Sequence, residues 1–273
     1  MSQKFRVKVF ADGADKASIL RLSENPLIAG FTTNPTLMRK AGVTDYKAFA
    51  AEVLETVTDK PVSFEVLSDE FDEMEAQALE IASWAPNVYV KIPISNTRGE
   101  SSVPLIERLS IAGVKINVTA MMTIEHVRSV LPAMSHSKAG YLSIFAGRVA
   151  DAGVDPEPIM AEALELMKPY PQLELLWASP REVFNLVQAD RLGCHVITLT
   201  DDVLKRIPLI GKDLNEFSLE TVKMFYNDAV AAGYELAGAM SFAPSKNSSL
   251  VDSKQSKENS FAPSPVPLAA SIK

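Results

Sequence analysis

The sequence is poor in the residues that build disulfide frameworks, metal centres and membrane spans. Among its 273 residues Cys194 is the only cysteine, so no intrachain disulfide can form. The histidines His126, His136 and His195 show no metal-ligand spacing with it. No uninterrupted apolar stretch reaches the roughly 18 residues that cross a bilayer, and residues 1–10 lack the apolar segment of a signal peptide. We therefore expect a cytoplasmic protein without a disulfide, a metal or a membrane anchor.

Positive charge is also in short supply. The chain has 27 Lys and Arg against 34 Asp and Glu, which gives a formal net charge of −7 and a pI of about 5.1. Such an acidic chain has no general attraction for nucleic acid or for an anionic membrane surface. No glycine-rich dinucleotide motif or phosphate-binding loop follows any of its apolar segments. We therefore expect small molecules as partners, and neither nucleic acid nor membrane.

Eight short β-branched or apolar segments recur about every 27 residues, and the sequence between them has helical periodicity. This alternation predicts a (β/α)8 TIM barrel, for which about 250 residues is typical. A doubly wound open sheet is the alternative fold. The predicted strands are Val7–Ala11, Ile28–Thr32, Val62–Val66, Val88–Ile92, Val114–Thr119, Tyr141–Phe145, Leu173–Ala178 and Val196–Leu199. The predicted helices are Ala48–Val57, Asp69–Trp84, Leu105–Ile111, Ile159–Met167, Arg181–Gln188 and Leu219–Ala232.

The composition changes near residue 239. From there to residue 273 the chain is rich in Ser, Pro, Lys and Asn, has no helical or strand periodicity, and contains Phe-Ala-Pro-Ser twice, at Phe242–Ser245 and Phe261–Ser264. This pattern predicts a catalytic domain over residues 1–238 and a disordered tail over residues 239–273. The two copies could be docking motifs, although composition alone is enough to keep such a segment disordered.

One lysine lies inside an otherwise apolar strand. Val88–Ile94 reads Val-Tyr-Val-Lys-Ile-Pro-Ile, and Pro93 indicates that the strand ends there. Lys91 would then lie near the C-terminal end of a buried strand. A poorly solvated ammonium gives up its proton more readily, which leaves an amine that can attack a carbonyl and form a Schiff base. The alternative is that Lys91 extends its ammonium into solvent or pairs with a carboxylate.

Polar side chains follow seven of the eight predicted strands. In a TIM barrel the chemistry lies at the C-terminal strand ends, so these side chains should meet. Each has a structural alternative: Asn34-Pro35 as a helix start, Ser179 as a helix N-cap, the arginines as a solvated rim. Together they predict a site for a polar, phosphorylated carbonyl compound. The residues at these strand ends are Asp12, Asn34, Glu65, Lys91, Asn117, Thr119, Ser143, Phe145, Arg148, Ser179 and Arg181.

The ordered set of motifs resembles the transaldolase family, which includes the fructose-6-phosphate aldolases. The motifs are Asp12 after the first strand, Thr32-Thr33-Asn34-Pro35, Val90-Lys91-Ile92-Pro93, Asn117-Val118-Thr119 and Ser143–Arg148. The resemblance runs from about Val7 to about Leu236. It implies a (β/α)8 barrel with a Schiff-base lysine, no metal or organic cofactor, and assembly into homo-oligomers.

The resemblance also implies roles for the residues that match. Lys91 would attack the C2 carbonyl of a ketose phosphate such as fructose 6-phosphate or sedoheptulose 7-phosphate, and Asp12 would take the C4 hydroxyl proton so that the C3–C4 bond breaks. Glu65 and Thr119 would hold a catalytic water. The remaining roles are hydrogen bonds to the dihydroxyacetone unit from Asn34, Asn117 and Ser143, an aromatic contact from Phe145, and phosphate binding by Arg148, Ser179 and Arg181.

Several alternatives stay open. Glu65 favours transfer of the dihydroxyacetone unit to an aldose phosphate. The resemblance implies a glutamine at this position in the aldolase branch of the family and a glutamate in the transaldolase branch. A fructose-6-phosphate aldolase is one alternative, and an enzyme for another, modified or sulfonated ketose is a second. A barrel that serves as a scaffold through its tail is a third, but a non-catalytic binder needs no nucleophile with a proton relay. For Cys194-His195, a buried structural pair is favoured over a thiol catalyst.

Overall fold

The structure is a computed structural model that describes residues 4–13 and 15–234. The chain divides into two units, residues 1–212 and residues 213–273. The first unit is a barrel and the second contributes one described helix. The tail predicted over residues 239–273, with both copies of Phe-Ala-Pro-Ser, lies outside the described residues.

Eight parallel strands close into a barrel in sequence order, and the first strand pairs with both the second and the last. The prediction of a (β/α)8 barrel is therefore confirmed, and the open sheet is wrong. Each predicted strand lies within two residues of an observed one. The strands are β1 Lys8–Asp12, β2 Ile28–Thr32, β3 Val62–Glu65, β4 Val88–Pro93, β5 Ile116–Met121, β6 Gly140–Ile144, β7 Leu173–Trp177 and β8 Val196–Thr200.

Helices follow the strands around the barrel. They are α1 Lys16–Ser23, α2 Pro35–Lys40, α3 Tyr46–Thr56, α4 Phe71–Ser83, α5 Val103–Ile111, α6 Ile124–Ala133, α7 Ala146–Asp151, α8 Glu157–Met167, α9 Phe184–Leu192 and α10 Asp201–Leu204, followed by a 3-10 helix at Ile207–Leu209. The sequence periodicity does not predict α1, α6, α7 or α10, and of α2 only the start is indicated, by Asn34-Pro35. Three of these begin at a side-chain cap, because Asp15, Asn34 and Thr123 each accept a hydrogen bond from the first turn. The helices α2, α7 and α10 have only six, six and four residues, which is too short for a helical period to show in the sequence.

The barrel interior contains a layer of aromatic side chains below the C-terminal strand ends. Phe10 on β1 and Tyr141 on β6 pack edge to face with ring centroids 5.5 Å apart, although their strands are not neighbours, so this contact crosses the interior. Gly30 on β2 leaves room for it, since a Cβ there would lie 2.6 Å from the Phe10 ring. A larger cluster of buried side chains, including Val90, Ile116 and Leu175, forms the main core.

The same inward face turns polar toward the C-terminal ends of the strands. Side chains two residues apart on a strand share a face. Phe10 is therefore followed on its face by Asp12, and Tyr89 by Lys91. An aromatic layer with Phe10 and Tyr89 therefore lies below a polar layer with Asp12 and Lys91. The polar layer, at the C-terminal ends of the strands, is the candidate site.

The second unit contains α11, Leu214–Ala232. Asp213 caps its start by accepting hydrogen bonds from the backbone N–H groups of Asn215 and Glu216, and Gly233 ends it with a φ of 67°. The helix begins five residues before the predicted start at Leu219. Across residues 4–13 and 15–234, no helix is both long and apolar enough to cross a membrane.

Candidate active site

A cavity of about 440 Å³ opens at the C-terminal end of the barrel. All eleven residues that the sequence placed at the strand ends line it: Asp12, Asn34, Glu65, Lys91, Asn117, Thr119, Ser143, Phe145, Arg148, Ser179 and Arg181. The closed barrel explains this convergence, because it brings the ends of all eight strands to one rim. Their individual roles stay predictions.

Lys91 lies in the wall of this cavity. It occupies the fourth position of β4 and is only 5% exposed. Its ammonium donates to the Thr33 carbonyl oxygen at 2.7 Å and lies 3.0 Å from a carboxylate oxygen of Glu65. Of the two alternatives for this lysine, extension into solvent is wrong. Pairing with a carboxylate is observed, and it holds the nitrogen of Lys91 at the surface of the cavity.

Glu65 is itself held by a tyrosine from the neighbouring helix. The hydroxyl of Tyr46 on α3 accepts from the Glu65 backbone N–H and donates to the Glu65 carbonyl, each at 2.8 Å. Burial raises the pKa of Tyr46, so the phenol keeps the proton that it donates. The ring packs edge to face with Phe64 and Trp84. This contact fixes the end of β3 beside Lys91.

Asp12 ends β1 and is half-buried at the cavity. Thr32 donates to its carboxylate at 2.8 Å, and the Thr32 oxygen lies 2.6 Å from the hydroxyl of Thr198. Burial raises the pKa of Asp12, while the charge of Lys91 and the hydrogen bond from Thr32 oppose the rise and the charge of Glu65 adds to it. A carboxyl with a raised pKa is suited to exchange a proton with a substrate.

A second group of polar side chains is ordered by hydrogen bonds of its own. Ser143 donates to the Asn117 side-chain oxygen at 2.7 Å, and the Asn117 amide donates to the Ser63 hydroxyl at 3.1 Å. The buried Thr119 hydroxyl has no hydrogen-bond partner among the described residues. The side-chain oxygen of Asn34 caps α2, so its predicted role at a helix start is confirmed, and Asn34 also lines the cavity.

The arginines lie at the exposed side of the cavity. The Arg181 Nε donates to both carboxylate oxygens of Asp151, at 2.9 and 3.1 Å, and its Nη1 donates to the Ser179 hydroxyl at 3.0 Å. Pairing with Asp151 raises the pKa of Arg181 and lowers that of Asp151. The Arg148 guanidinium makes no hydrogen bond or ion pair with the described residues, although its charge also lowers the pKa of Asp151. The helix predicted from Arg181 begins at Phe184 instead, so the alternative role of Ser179 as its N-cap is wrong.

Two residues at the cavity adopt left-handed backbone angles. They are Ala120, with a φ of 61°, and Ser179, with a φ of 60°. Such angles cost a residue with a side chain about 1–2 kcal/mol and occur where the surroundings impose them. The helix α7 approaches Ser179 closely, because a Cβ on Gly147 would overlap the Ser179 carbonyl oxygen and lie 2.7 Å from its carbonyl carbon. Glycine therefore permits the close approach of α7 to Ser179.

Comparison with known proteins agrees with this geometry. The family described as Transaldolase/Fructose-6-phosphate aldolase matches residues 9–250. The chain belongs to this family. A "Probable transaldolase" from Streptococcus agalactiae serotype V is 35% identical over 217 residues, which cover 77% of this chain and 95% of that protein. A "Probable transaldolase 2" from Listeria monocytogenes is 33% identical over 217 residues, covering 77% of this chain and 94% of its own.

Solved structures show the fold alone. A crystal structure of a lyase/mutase candidate from Burkholderia cenocepacia J2315 superimposes with a TM-score of 0.53 at 13% identity, covering 76% of this chain and 81% of that one. Membership of the transaldolase family, by contrast, confirms the resemblance drawn from the motifs. It assigns the chain to an enzyme family of aldolases and transferases, for which sugar phosphates are the implied substrates.

For this family member, three residues around the site were not expected from the sequence: Tyr46, Asp151 and Thr198. Thr32 was named within a motif but without a role. The alternation Ile-Thr-Leu-Thr on β8 was an available signal for Thr198, since it turns two hydroxyls to one face. Nothing in the sequence indicates that Tyr46 reaches the end of β3.

Cys194 is separate from this site. Its thiol is buried and contacts the carbonyl oxygens of Leu175 and Val196 at 3.3 and 3.4 Å. Burial raises the pKa of Cys194 to about 12, which favours the structural role over a thiol catalyst. Within residues 4–13 and 15–234, no group of three or more His, Cys, Asp or Glu side chains is placed to hold a metal ion.

Proposed function

We propose that the protein is a transaldolase that moves a dihydroxyacetone unit from a ketose phosphate to an aldose phosphate through a Schiff base on Lys91. The observation that carries the proposal is a buried lysine paired with Glu65 at 3.0 Å and sharing one cavity with Asp12. A nucleophile, a carboxyl beside it and a second carboxyl at the same cavity supply the groups that class I aldol chemistry needs.

In the first step the Lys91 amine attacks the C2 carbonyl of the ketose. Glu65 is placed to take the proton that Lys91 loses, because their side chains are in contact. The carbinolamine then loses water and becomes an iminium ion. The buried Thr119 hydroxyl, which has no partner among the described residues, offers a hydrogen bond to that water.

In the second step Asp12 takes the proton of the C4 hydroxyl. The electrons of the C3–C4 bond flow into the iminium, so the bond breaks, an aldehyde leaves, and a three-carbon enamine stays on Lys91. Attack of the enamine on an acceptor aldehyde reverses these steps, and Asp12 returns the proton to the new hydroxyl. Asn34, Asn117 and Ser143 line the same cavity and offer hydrogen bonds that retain the three-carbon unit.

The exposed side of the cavity suits the phosphate of the substrate. Arg181 is already oriented by Asp151 and Ser179, and Arg148 brings a second positive charge. A planar guanidinium binds phosphate through two parallel hydrogen bonds. Phe145 lies between Ser143 and Arg148 in the sequence and offers an apolar surface to the substrate in this cavity.

The test is intact mass after borohydride reduction with fructose 6-phosphate, with and without erythrose 4-phosphate as acceptor. The wild type should retain a reduced three-carbon adduct, and the acceptor should discharge it into a seven-carbon sugar phosphate. Lys91→Ala should give neither adduct nor turnover. Lys115→Ala is the matched control, since Lys115 lies outside this cavity and donates to the Pro86 carbonyl oxygen instead.

The outcomes separate the alternatives. Discharge of the adduct by water alone would make the protein a fructose-6-phosphate aldolase. An adduct formed only with a different ketose in a donor screen would identify a relative that acts on a modified sugar. Turnover by Lys91→Ala would refute the mechanism.

We also propose that the protein forms a homo-oligomer. The helix α11 exposes several large apolar side chains, among them Leu214 at 78%, Val222 at 60% and Phe225 at 63%. Apolar surface of this kind commonly marks a contact between proteins. Light scattering coupled to size exclusion should give a mass that is a multiple of 29.7 kDa. A mass of one chain at micromolar concentration would refute this.

A further inference from the structure

Three oxygen-bearing side chains form a row at the seam of the barrel. The Thr32 hydroxyl on β2 lies 2.8 Å from Asp12 Oδ1, and 2.6 Å from the hydroxyl of Thr198 on β8. Both threonines are nearly inaccessible, with 3% and 4% exposure. The strand that carries Asp12 pairs with both of their strands, so the three groups are held by adjacent backbones.

Each threonine hydroxyl has a single proton to donate, and this restricts how the row can be bonded. When Asp12 is ionised it only accepts, so Thr32 must donate to it and Thr198 must donate to Thr32. When Asp12 carries a proton on Oδ1, it can donate to Thr32, and the Thr32 proton can turn toward Thr198. The short distance between the two hydroxyls fits either direction.

We propose that Thr32 and Thr198 are positioning residues which form a reversible hydroxyl chain and hold the Asp12 carboxyl in one place in both of its protonation states. Each hydroxyl keeps its own proton and turns about its C–O bond, so no proton travels along the chain. The inference rests on the proposed function, in which Asp12 takes a proton from one sugar hydroxyl and returns it to another.

A carboxyl that works as both acid and base needs this support. In a buried place an unpaired donor costs more than an oxygen with an unused lone pair. A fixed donor beside Asp12 would favour only the ionised form, whereas a chain that can reverse keeps the Thr32 hydroxyl bonded to Asp12 in both forms. Because both states use the same oxygen positions, the side chain of Asp12 need not move between the two halves of the reaction.

Charged groups around Asp12 also affect its pKa, independently of the hydroxyl chain. Lys91 on β4 favours the ionised carboxyl and Glu65 on β3 disfavours it. A second cavity of about 430 Å³ also reaches Asp12. The charged residues that line this second cavity are Asp15, Lys40, Asp201 and Asp202. None of these groups changes when a threonine hydroxyl is replaced by a methyl group, so the contribution of the chain can be isolated.

The test compares Thr32→Val with Thr198→Val, which replace a hydroxyl by a methyl group of similar size. Thr32→Val removes a hydrogen bond of Asp12 in both states, but this bond on balance lowers the pKa of Asp12, so its loss should move the acidic limb of the pH profile for C–C cleavage upward. Thr198→Val leaves the Thr32 proton without an acceptor when Asp12 is protonated, and should move that limb downward. Each shift should be roughly half to one pH unit, the value of one net hydrogen bond.

Two further variants separate this role from packing. Thr198→Ser keeps the hydroxyl and should restore the wild-type profile. Ser137→Ala removes a similar buried contact far from the site, between the hydroxyls of Ser137 and Ser110 at 2.9 Å, and should leave the profile unchanged. The proposal of a reversible hydroxyl chain would be refuted if the acidic limb of the pH profile stayed in place in both valine variants, or moved in the same direction in both.

A readout that does not need activity keeps this inference distinct from the proposed function. The Asp12 carboxyl carbon can be followed by NMR in protein labelled at aspartate, with Asp12→Asn identifying its signal. Opposite shifts of its titration in the two valine variants would support the chain even in a protein that forms no Lys91 adduct. Absence of the adduct in wild type would instead refute the proposed function alone.

Discussion

Replacement of Gly147 by alanine tests how the anion-binding side of the cavity is built. Gly147 lies in α7, one residue before Arg148, and its backbone N–H points at the Ala178 carbonyl oxygen at 3.5 Å. A Cβ at this position would overlap the Ser179 carbonyl oxygen and lie 2.7 Å from the carbonyl carbon. Either α7 or the Ser179 backbone must therefore move.

The size of the movement follows from the contact distances. Ordinary contact begins at 3.4 Å, so the carbonyl carbon must retreat by about 0.7 Å and the oxygen by more. Without the overlap, alanine would stabilise this helical position by about 0.5–1 kcal/mol relative to glycine. Overpacking costs about 1–3 kcal/mol, so we expect a net loss of stability, with about 2–4 °C in Tm for each kcal/mol.

The effect on catalysis should be confined to substrates that carry a phosphate group. A misplacement of 1 Å can cost about 100-fold. The displacement of Ser179 should raise KM for fructose 6-phosphate by roughly tenfold or more, while KM for unphosphorylated fructose should change little. The assay is steady-state transfer with each donor, together with the Tm of each protein.

Gly153→Ala is the matched control. Gly153 has a φ of 76° and no atom within 4 Å of an added Cβ, so alanine there costs about 1–2 kcal/mol of backbone strain without a clash. It should lower Tm by a similar amount and leave the ratio of the two KM values unchanged. A Gly147→Ala protein that is as stable as wild type and keeps that ratio would refute the close approach of α7 to Ser179.

Two other substitutions make separate predictions. The pKa of Asp12 in the folded protein is raised above its ordinary 3.8, so the native state loses stability as pH rises through the raised pKa. Asp12→Asn should therefore be more stable than wild type at pH 7. Thermal unfolding should show that this gain vanishes below about pH 3.8. An equal difference at every pH would contradict this. Tyr46→Phe leaves the Glu65 N–H and carbonyl unpaired at a cost of about 1–3 kcal/mol, measurable by urea unfolding, and should slow adduct formation at Lys91. Unchanged stability would show that the two hydrogen bonds between Tyr46 and the Glu65 backbone are absent.

The sequence predicts the barrel well because its signals are local and repeated. Each buried strand is a short apolar run between turn residues, and eight of them at regular spacing leave few folds open. The site follows from the same regularity, since the fold brings strand ends together wherever polar residues occur there. Lys91 is visible because a charged residue in an apolar strand is unusual.

What the sequence does not reveal are contacts between segments distant along the chain. Asp151 reaches Arg181 across 30 residues, and Thr198 reaches Thr32 across 166. These partners depend on strand register and on side-chain direction at the barrel mouth, which no local pattern encodes. The close approach of α7 to Ser179 likewise joins two separate segments.

The pairing of β1 with β8 has a consequence for how this protein becomes active. Lys8 pairs with Val196, so the last seam of the barrel joins segments that are almost two hundred residues apart. Contacts of such long range are formed slowly, because the chain entropy must be lost before they stabilise anything. Asp12, Thr32 and Thr198 lie across that seam. During synthesis Asp12 emerges early, yet its environment is completed only when β8 arrives, and recovery of activity after refolding should therefore report the closure of the barrel.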